Sequence, residues 1–478
     1  MNKLKLTSVF LVLVLMIAFT SCNIPLLAPA LPGRQTPGLY VNRAASSTNS
    51  ATLNRHTFFK DPYLAALIDS ALNNNQELNV TRQEIEIARN EARARRGEYL
   101  PFVGIGAAAG VEKVSRYTTA GAAEDISQIR PGRETPETVP NLLVGPYANW
   151  EVDIWHKLRN AQKAAVNRYL GTVEGKNFMV TNLVSEIAEA YYELLALDNE
   201  LEVLKQNIQI QSNALEIVKV EKEATRVTEL AVRRFEAQVL NTRSRQYAIE
   251  QEIVETENHI NFLIGSYPQH IARNASVFSA LVPDSLMTGV PSQLLENRPD
   301  VRQAEQNLAA SRLDIKSARA NFYPSLRITA AVGFNAYSPA YLFSAPQSLI
   351  YSLLGELTGP LVNRNAIKAN YLSANARQLQ ALYNYQKTIL NAYIEVANQV
   401  SNISNLDKSY KNKAKEVEAL TRSVTISKDL FISARADYME VLLTQRDALE
   451  SRFQLLETKE KQLHAMVQMY RALGGGWN

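Results

Sequence analysis

Two segments of this chain repeat each other at a constant spacing, and this limits the possible folds more than any other feature. Residues 78–110 align with residues 301–333 at an offset of 223. The positions of the first copy that are identical in the second are Gln83, Arg89, Arg96, Pro101, Ile105, Ala107, Ala108 and Gly110. Later the offset becomes 209, as in Val232/Val441 and Gly265/Gly474, so the first copy has a 14-residue insertion. The sequence therefore predicts two copies of one structural unit, residues 61–290 and 291–478.

Each copy has the same predicted order of elements. A first helix runs into Pro101 in one copy and Pro324 in the other, because proline cannot continue a helix. Two strands and a polar loop between them follow, at about 102–113 and 142–152, then at about 325–335 and 349–361. Long helices complete each copy, at about 157–222 and 228–264, then at about 364–432 and 438–472. We expect a mainly α fold with a small β part.

The long helices carry a coiled-coil pattern. From Val180 through Leu183 and Ile187 to Ile208, apolar residues recur in steps of three and four, and no proline or glycine interrupts residues 176–264. A repeat of 3.5 residues keeps one seam facing a partner helix. The pattern predicts long antiparallel coiled-coil helices, and a rod that serves only as a scaffold stays open.

The four predicted strands have the length of tilted membrane-spanning strands, roughly 10 residues. Beyond the N-terminal segment no apolar run reaches the roughly 20 residues of a spanning helix. A mature chain that crosses a membrane must then do so as a closed β-barrel. Four strands cannot close one, since the smallest barrels have about eight. Two chains would give eight strands with an interior filled by side chains, and three would give twelve strands and room for a lumen. The strand count favours an oligomer with a shared pore and leaves the number of chains open.

The N-terminus resembles a secretory signal. Lys3 and Lys5 precede the apolar stretch Val9–Phe19, which stops at Thr20-Ser21-Cys22. Cys22 is the single cysteine of the chain, and residues 19–22 resemble the bacterial lipobox, although Phe19 stands where an aliphatic residue is usual. We expect residues 1–21 to be a signal peptide, Cys22 to be the lipid attachment site and residues 22–60 to be a lipidated extension. Several acyl chains are needed for stable anchoring.

Composition argues against other classes of function. Without the signal, the chain has 49 basic and 47 acidic residues. This balance argues against nucleic acid as a partner, because proteins that bind nucleic acid usually have a concentrated basic surface. The five histidines lack ligand spacing, which predicts no metal site. There is no P-loop or G-x-S-x-G motif, and the glycines of residues 104–110 miss the dinucleotide fingerprint. We expect no enzyme and no cofactor.

Residues 294–305, Leu-Leu-Glu-Asn-Arg-Pro-Asp-Val-Arg-Gln-Ala-Glu, resemble the signature of the TolC-like outer-membrane efflux factors. The likeness is greatest to the NodT-like lipoprotein branch that serves resistance-nodulation-division multidrug pumps, and residues 150–159 resemble the start of its first long helix. It runs from about Asp61 to Gly474. The resemblance implies a homotrimer with a twelve-stranded barrel completed by trimerisation and a periplasmic α-barrel tunnel. It also implies a periplasmic adaptor (membrane-fusion) protein and an inner-membrane transporter as partners, with the chain anchored to outer-membrane lipid.

The resemblance also assigns sites at the two breaks in the long helices. The implied adaptor-contact tips are Thr225, Arg226, Val227 and Thr228 in copy one and Ala434, Arg435, Ala436 and Asp437 in copy two. The implied aperture residues are Glu440 and Leu443, where some relatives carry two acidic residues. The family's gating tyrosine falls near Phe431 and its gate-holding aspartate on Ala231. We expect closure by apolar contact around Leu443 and a cation-selecting Glu440 ring, with a solvated Glu440 as the alternative.

The expected function is passive conduction of drugs or other small molecules from the adaptor and transporter to the exterior. Two alternatives stay open at this stage: an exit duct for type I protein secretion and a non-conducting envelope scaffold. The exported substrate is open as well, because the transporter usually selects it.

Overall fold

The computed structural model describes residues 24–29, 37–40, 49–50, 53–281, 288–433 and 435–477. The chain forms two compact units that do not follow the two sequence copies. Residues 86–170 and 306–383 build most of one unit, and residues 53–85, 171–305 and 384–477 build most of the other, within the described ranges. Each copy therefore contributes to both units. The two copies are therefore not separately folded bodies.

The helices and strands alternate in two similar series. Copy one, with the segment before it, contains α1 (Arg55–Phe58), α2 (Pro62–Asn74), α3 (Gln76–Glu98), β1 (Phe102–Glu112), α4 (Thr119–Asp125), β2 (Gln128–Arg130), β3 (Arg133–Glu134), β4 (Val139–Val152), α5 (Lys157–Glu223) and α6 (Glu229–Leu263). Copy two contains α7 (Leu294–Asn297), α8 (Pro299–Ala320), β5 (Ser325–Ala336), β6 (Leu349–Thr358), α9 (Asn365–Ile432) and α10 (Tyr438–Ala472). Short 3-10 turns lie at Ala275–Ala280, Pro291–Gln293 and Pro339–Tyr341.

Three strand details differ from the sequence prediction. β4 begins at Val139, about three residues early, because its pairing with β1 continues to Glu112↔Val139. β6 ends at Thr358 rather than 361, since Gly359 and Pro360 follow and proline has no N–H for a ladder. The inserted loop of copy one is also more ordered than the polar loop that we expected, because it holds α4 and the β2–β3 hairpin.

The helix ends follow from local chemistry. The carboxylate of Asp153 accepts the backbone N–H groups of Leu158 at 3.0 Å and Arg159 at 2.8 Å, which satisfies donors of the first turn of α5. Gly265 and Gly474 adopt φ values of +70° and +93° after α6 and α10. A Cβ there would lie 2.6 Å from the carbonyl of Asn74 and 2.5 Å from that of Asn297. The repeat thus conserves a close backbone contact that only glycine fits.

The coiled-coil seam of α5 is the centre of the core in the second unit. Val184, Ile187, Tyr191 and Leu194 are buried there. Val467 and Tyr470 of α10 belong to the same apolar cluster. Each fully buried side chain of this size contributes about 1.5–3 kcal/mol through removal of apolar surface from water. None of the helices in the described residues has a stretch both long and apolar enough to cross a bilayer.

Candidate channel surface and helix tips

The four-stranded antiparallel sheet, in the order β1-β4-β5-β6, has one apolar face. Val103↔Ala148, Ala148↔Ala330 and Ala330↔Leu353 are paired, so these residues share a face. The larger side chains of this face include Val103, Ile105, Leu142, Val144, Trp150, Leu326, Ile328, Val332, Phe334, Leu349, Tyr351, Leu353 and Leu357. Ile105 is 79% exposed and Leu353 is 77% exposed in the single chain. A continuous apolar surface of this extent marks contact with a membrane or a partner.

The opposite face of the sheet, which we call the polar face, is mixed: it holds all charged residues of the four strands but also Phe102, Leu143, Ile350 and Leu354. It carries Asn141, Asn149, Glu151, Arg327, Thr329, Asn335, Ser352 and Glu356. Glu151 pairs with Arg327 and Arg327 pairs with Glu356, so three charged residues form one row across three strands. Successive residues of a strand point to opposite faces, so the sheet has one face with charged residues and one face without any. A sheet of this kind can separate water from lipid.

The sheet has unpaired edges. In the part of the chain that the structure describes, β1 and β6 each pair along one side only. The free side of such a strand presents N–H and C=O groups that a second chain can bind. β6 spans Leu349–Thr358 and is exposed throughout. Both edges are thus suited to strand pairing with another copy.

The first helix tip is a tight turn between α5 and α6. Thr225 has a φ of +57°, an uncommon conformation for a β-branched residue. Arg226 projects into solvent with 72% of its side chain exposed, and its Nη1 forms an ion pair with Oε1 of Glu221 at 3.3 Å. Thr228 is the N-cap of α6, without a side-chain cap bond. Val227 instead packs against the buried cluster of Val218, Ala231, Val232 and Phe235.

The second helix tip lies beside the first. Tyr438 and Leu442 of α10 pack against the same cluster as Val227. Arg435 is exposed and its backbone N–H donates to the carbonyl of Leu430 at 2.8 Å, while Asp437 is the N-cap of α10. Ala436 is partly buried, and Ala434 lies outside the described residues.

The two implied aperture residues lie one turn apart on α10. Glu440 is exposed in the first turn, and Leu443 is 43% exposed. Ala231, at the position of the relatives' gate-holding aspartate, is fully buried in the apolar cluster of the first tip. Phe431 lines a small neighbouring cavity of about 150 Å³ with Val218 and Phe235. Ala231 thus lies among apolar side chains of both helix tips.

Cys22 lies outside the described residues, but the segment that follows it does not. Ile24 and Leu27 pack against an apolar cluster that contains Ile315, Phe322 and Tyr371. Phe322 and Tyr371 meet edge to face with ring centroids 5.5 Å apart. Ile24 and Leu27 are thus held against the end of α8, shortly before β5 begins at Ser325.

Arg298 of the signature motif has a structural role that sequence reasoning did not assign. It is 5% exposed and donates to Asp300 at 3.0 and 2.7 Å, to Glu395 at 2.6 Å and to the carbonyl of Ala472 at 3.0 Å. These contacts join the start of α8 to α9 and to the end of α10. The proximity of Arg298 and Asp300 in the sequence was the available signal, whereas Glu395 and Ala472 are remote in the chain.

A second group that the sequence did not reveal is a set of carboxylates between α5 and α10. Burial raises the pKa of Glu200 to about 7, against the lowering effect of Arg245 and together with Glu460 and other acids. Burial likewise raises the pKa of Glu460, where His464 acts in the opposite direction. Glutamates scattered along separate helices give no sequence sign of such crowding. Among the described residues no group of histidine, cysteine, aspartate or glutamate has a metal-binding arrangement.

The model of the outer membrane efflux protein family matches residues 67–266 and 290–475. This chain belongs to the outer membrane efflux protein family. The resemblance based on residues 294–305 is confirmed, and so is the mainly α fold with a small β part. This outer membrane efflux protein is the outer-membrane channel component of an efflux pump, and neither the secretion duct nor the scaffold is favoured.

Relatives of this outer membrane efflux protein cover most of its length. The toluene efflux pump outer membrane protein TtgF of Pseudomonas putida is 27% identical over 435 residues, 91% of this chain and 87% of TtgF. The probable outer membrane lipoprotein SilC of Salmonella typhimurium is 24% identical over 478 residues, 100% of each chain. A solved membrane protein from Pseudomonas aeruginosa matches with a TM-score of 0.84 and 25% identity, covering 93% of this chain and 99% of that one. The family that these comparisons point to is one of efflux proteins rather than of enzymes.

Proposed function

We propose that three copies of this chain form a passive exit channel for small molecules across the outer membrane. The observation that carries the proposal is the two-faced sheet with an unpaired strand at each edge. Three such sheets joined through β1 and β6 would close into twelve strands, with apolar residues outside and polar residues around a lumen. The 67 residues of α5 correspond to a helix of about 100 Å, long enough to extend the conduit into the periplasm.

The helix tips are the proposed contact with the periplasmic adaptor. The first tip consists of Thr225, Arg226, Val227 and Thr228, and its Val227 packs against the same apolar cluster as Tyr438 and Leu442 of α10. In the second tip Arg435 and Asp437 are exposed, and Asp437 is the N-cap residue of α10. Ala434 and Ala436 belong to the same proposed surface. An inner-membrane transporter would supply the energy, because a channel of this kind only conducts.

The proposed aperture combines apolar contact at Leu443 with a ring of Glu440. Threefold symmetry would bring three like charges near one axis, where they would attract cations and repel one another. The buried Ala231 supports an apolar closure. Single-channel recordings of Glu440→Gln test the ring. A fall in cation preference is expected, and an unchanged ion selectivity would assign Glu440 to an ordinary solvated surface.

Cys22 is the proposed lipid attachment site, with residues 1–21 as the cleaved signal. The packing of Ile24 and Leu27 against the end of α8, shortly before β5, supports a lipid anchor at that level. Radiolabelled palmitate should enter the wild-type protein and not Cys22→Ala. Label in the variant would place the lipid elsewhere or exclude this anchor.

Planar-bilayer recording of the purified protein, together with its oligomeric state, tests the channel itself. We expect a heat-stable trimer on a denaturing gel and steady conductance. A stable oligomer without conductance would support the scaffold instead. TtgF is named for toluene, and we propose a small-molecule cargo for this chain as well. Deletion of the gene followed by exposure to solvents, dyes, detergents and metal salts would identify the cargo class.

A further inference from the structure

A cavity of about 500 Å³ lies where the strands end and the long helices begin. Its walls include Glu151 at the end of β4, Ser325 at the start of β5 and Thr358 at the end of β6. These three residues belong to the polar face of the sheet. The volume is in the range that holds a drug-sized molecule. If the polar face surrounds the lumen, as the proposed function requires, this cavity opens into the conduit.

A fixed aromatic pair forms one wall. Trp155 stacks on Tyr323 with ring centroids 4.8 Å apart and an interplanar angle of 26°. The indole N–H donates to the carbonyl of Pro324 at 2.7 Å. One indole face and its single polar group therefore have partners, yet Trp155 remains 47% exposed. A rigid indole with an open face is the strongest aromatic partner for a cation.

The charged groups around the cavity favour a cation as well. Its charged lining residues are Glu151, Asp153 and Lys157, so acidic groups exceed basic ones by one. Lys157 forms an ion pair with Glu151. Asp153 accepts two backbone N–H groups of α5, so part of its charge serves the helix. With Glu151 and Lys157 paired, the net charge of the lining is the single negative charge of Asp153, and the indole face supplies the direct contact to a cation.

We propose that this cavity is a transient binding site for lipophilic organic cations on their way through the channel. The inference rests on the proposed function and adds a cargo class to it. Asn370 lines the same cavity and is exposed, so its side chain can be changed with little effect on packing. A cation seated against Trp155 would lie in reach of a charge placed at this position.

Block of single-channel current tests the proposal on the full-length protein in planar bilayers. Tetraphenylphosphonium and tetraphenylborate have nearly the same size and shape but opposite charge. We expect the phosphonium ion to reduce the current and the borate ion to have little effect at the same concentration. Trp155→Ala should raise the half-blocking phosphonium concentration roughly five- to tenfold. Trp155→Phe should raise it less, because a weaker aromatic face remains.

A charge pair at one position provides the matched control. Asn370→Asp should lower the half-blocking concentration and Asn370→Lys should raise it, whereas Tyr147→Ala, on the polar face away from the cavity, should leave it unchanged. Equal block by both ions, or block that none of the cavity variants changes, would overturn the site while normal conductance keeps the channel function intact. A protein that conducts no current would overturn both.

Discussion

Replacing Arg298 with methionine would leave two carboxylates and a backbone carbonyl without the guanidinium that they now share. Asp300 is mostly buried, with 18% of its side chain exposed, whereas Glu395 is 43% exposed and partly solvated. Removing one partner of a buried ion pair costs about 3–5 kcal/mol, because the remaining charge stays out of water. Since solvent screens Glu395, we expect a value near the lower end of this range.

The expected shift in melting temperature follows from the size of the unit. Arg298 lies in the compact unit of roughly 280 residues. At about 2.1 cal/mol/K of unfolding entropy per residue, a loss of 3–5 kcal/mol lowers the midpoint by about 5–8 °C. Circular dichroism at 222 nm, recorded on the detergent-solubilised protein during heating, measures this midpoint. The melting temperature of Arg298→Lys should lie between those of the wild type and Arg298→Met, because an ammonium group keeps the charge but cannot form the bidentate contact with Asp300.

The exposed pair Arg422–Glu418 provides the control. Their side chains are 76% and 62% exposed, so Arg422→Met should shift the midpoint by less than about 1 °C. If Arg298→Met melts within 2 °C of the wild type, the clamp between α8, α9 and α10 contributes little to stability. The role of the motif would then have to be sought in assembly or in partner binding.

Three further variants test other parts of the structure. Leu353→Arg places a charge on the apolar face of β6, which should cost about 2–4 kcal/mol of insertion free energy and reduce the yield of membrane-inserted protein in a fractionation assay. The adjacent Ser352→Arg changes the opposite face and should insert normally in the same assay. The pKa of Glu200 is raised to about 7 by burial, so the acid stabilises the fold fully below its unfolded pKa of about 4.3 and loses this contribution as the pH rises through 7. The melting temperature of Glu200→Gln should therefore fall less between pH 5 and pH 8 than that of the wild type. If both proteins show the same fall, groups other than Glu200 cause the pH dependence. Arg226→Glu at the exposed tip should weaken cross-linking to the adaptor while trimer formation on a gel stays normal, and undiminished cross-linking would exclude this arginine from the contact.

Much of the local structure could be predicted from the sequence. The 3.5-residue period marked the buried seam of α5 from Val180 to Leu204, because one helix face must cover a partner. Pro101 and Pro324 marked the ends of the first helices, and the stretches that follow them were predicted as strands and are strands. The internal repeat further predicted that elements would recur in the same order, and two series of helices and strands are present.

The tertiary structure decided which distant groups meet. Arg298 contacts Glu395, 97 residues away, and the carbonyl of Ala472, 174 residues away. The cavity beside Trp155 depends on the ends of three strands that come together only in the sheet. The elevated pKa of Glu200 depends on its burial between helices that are far apart in the sequence. Periodicity reports which face of an element is apolar, since that is a local property of spacing, but it carries no information on which faces meet. That pairing is set by packing across the whole chain, and the clamp, the cavity and the buried acids all depend on it.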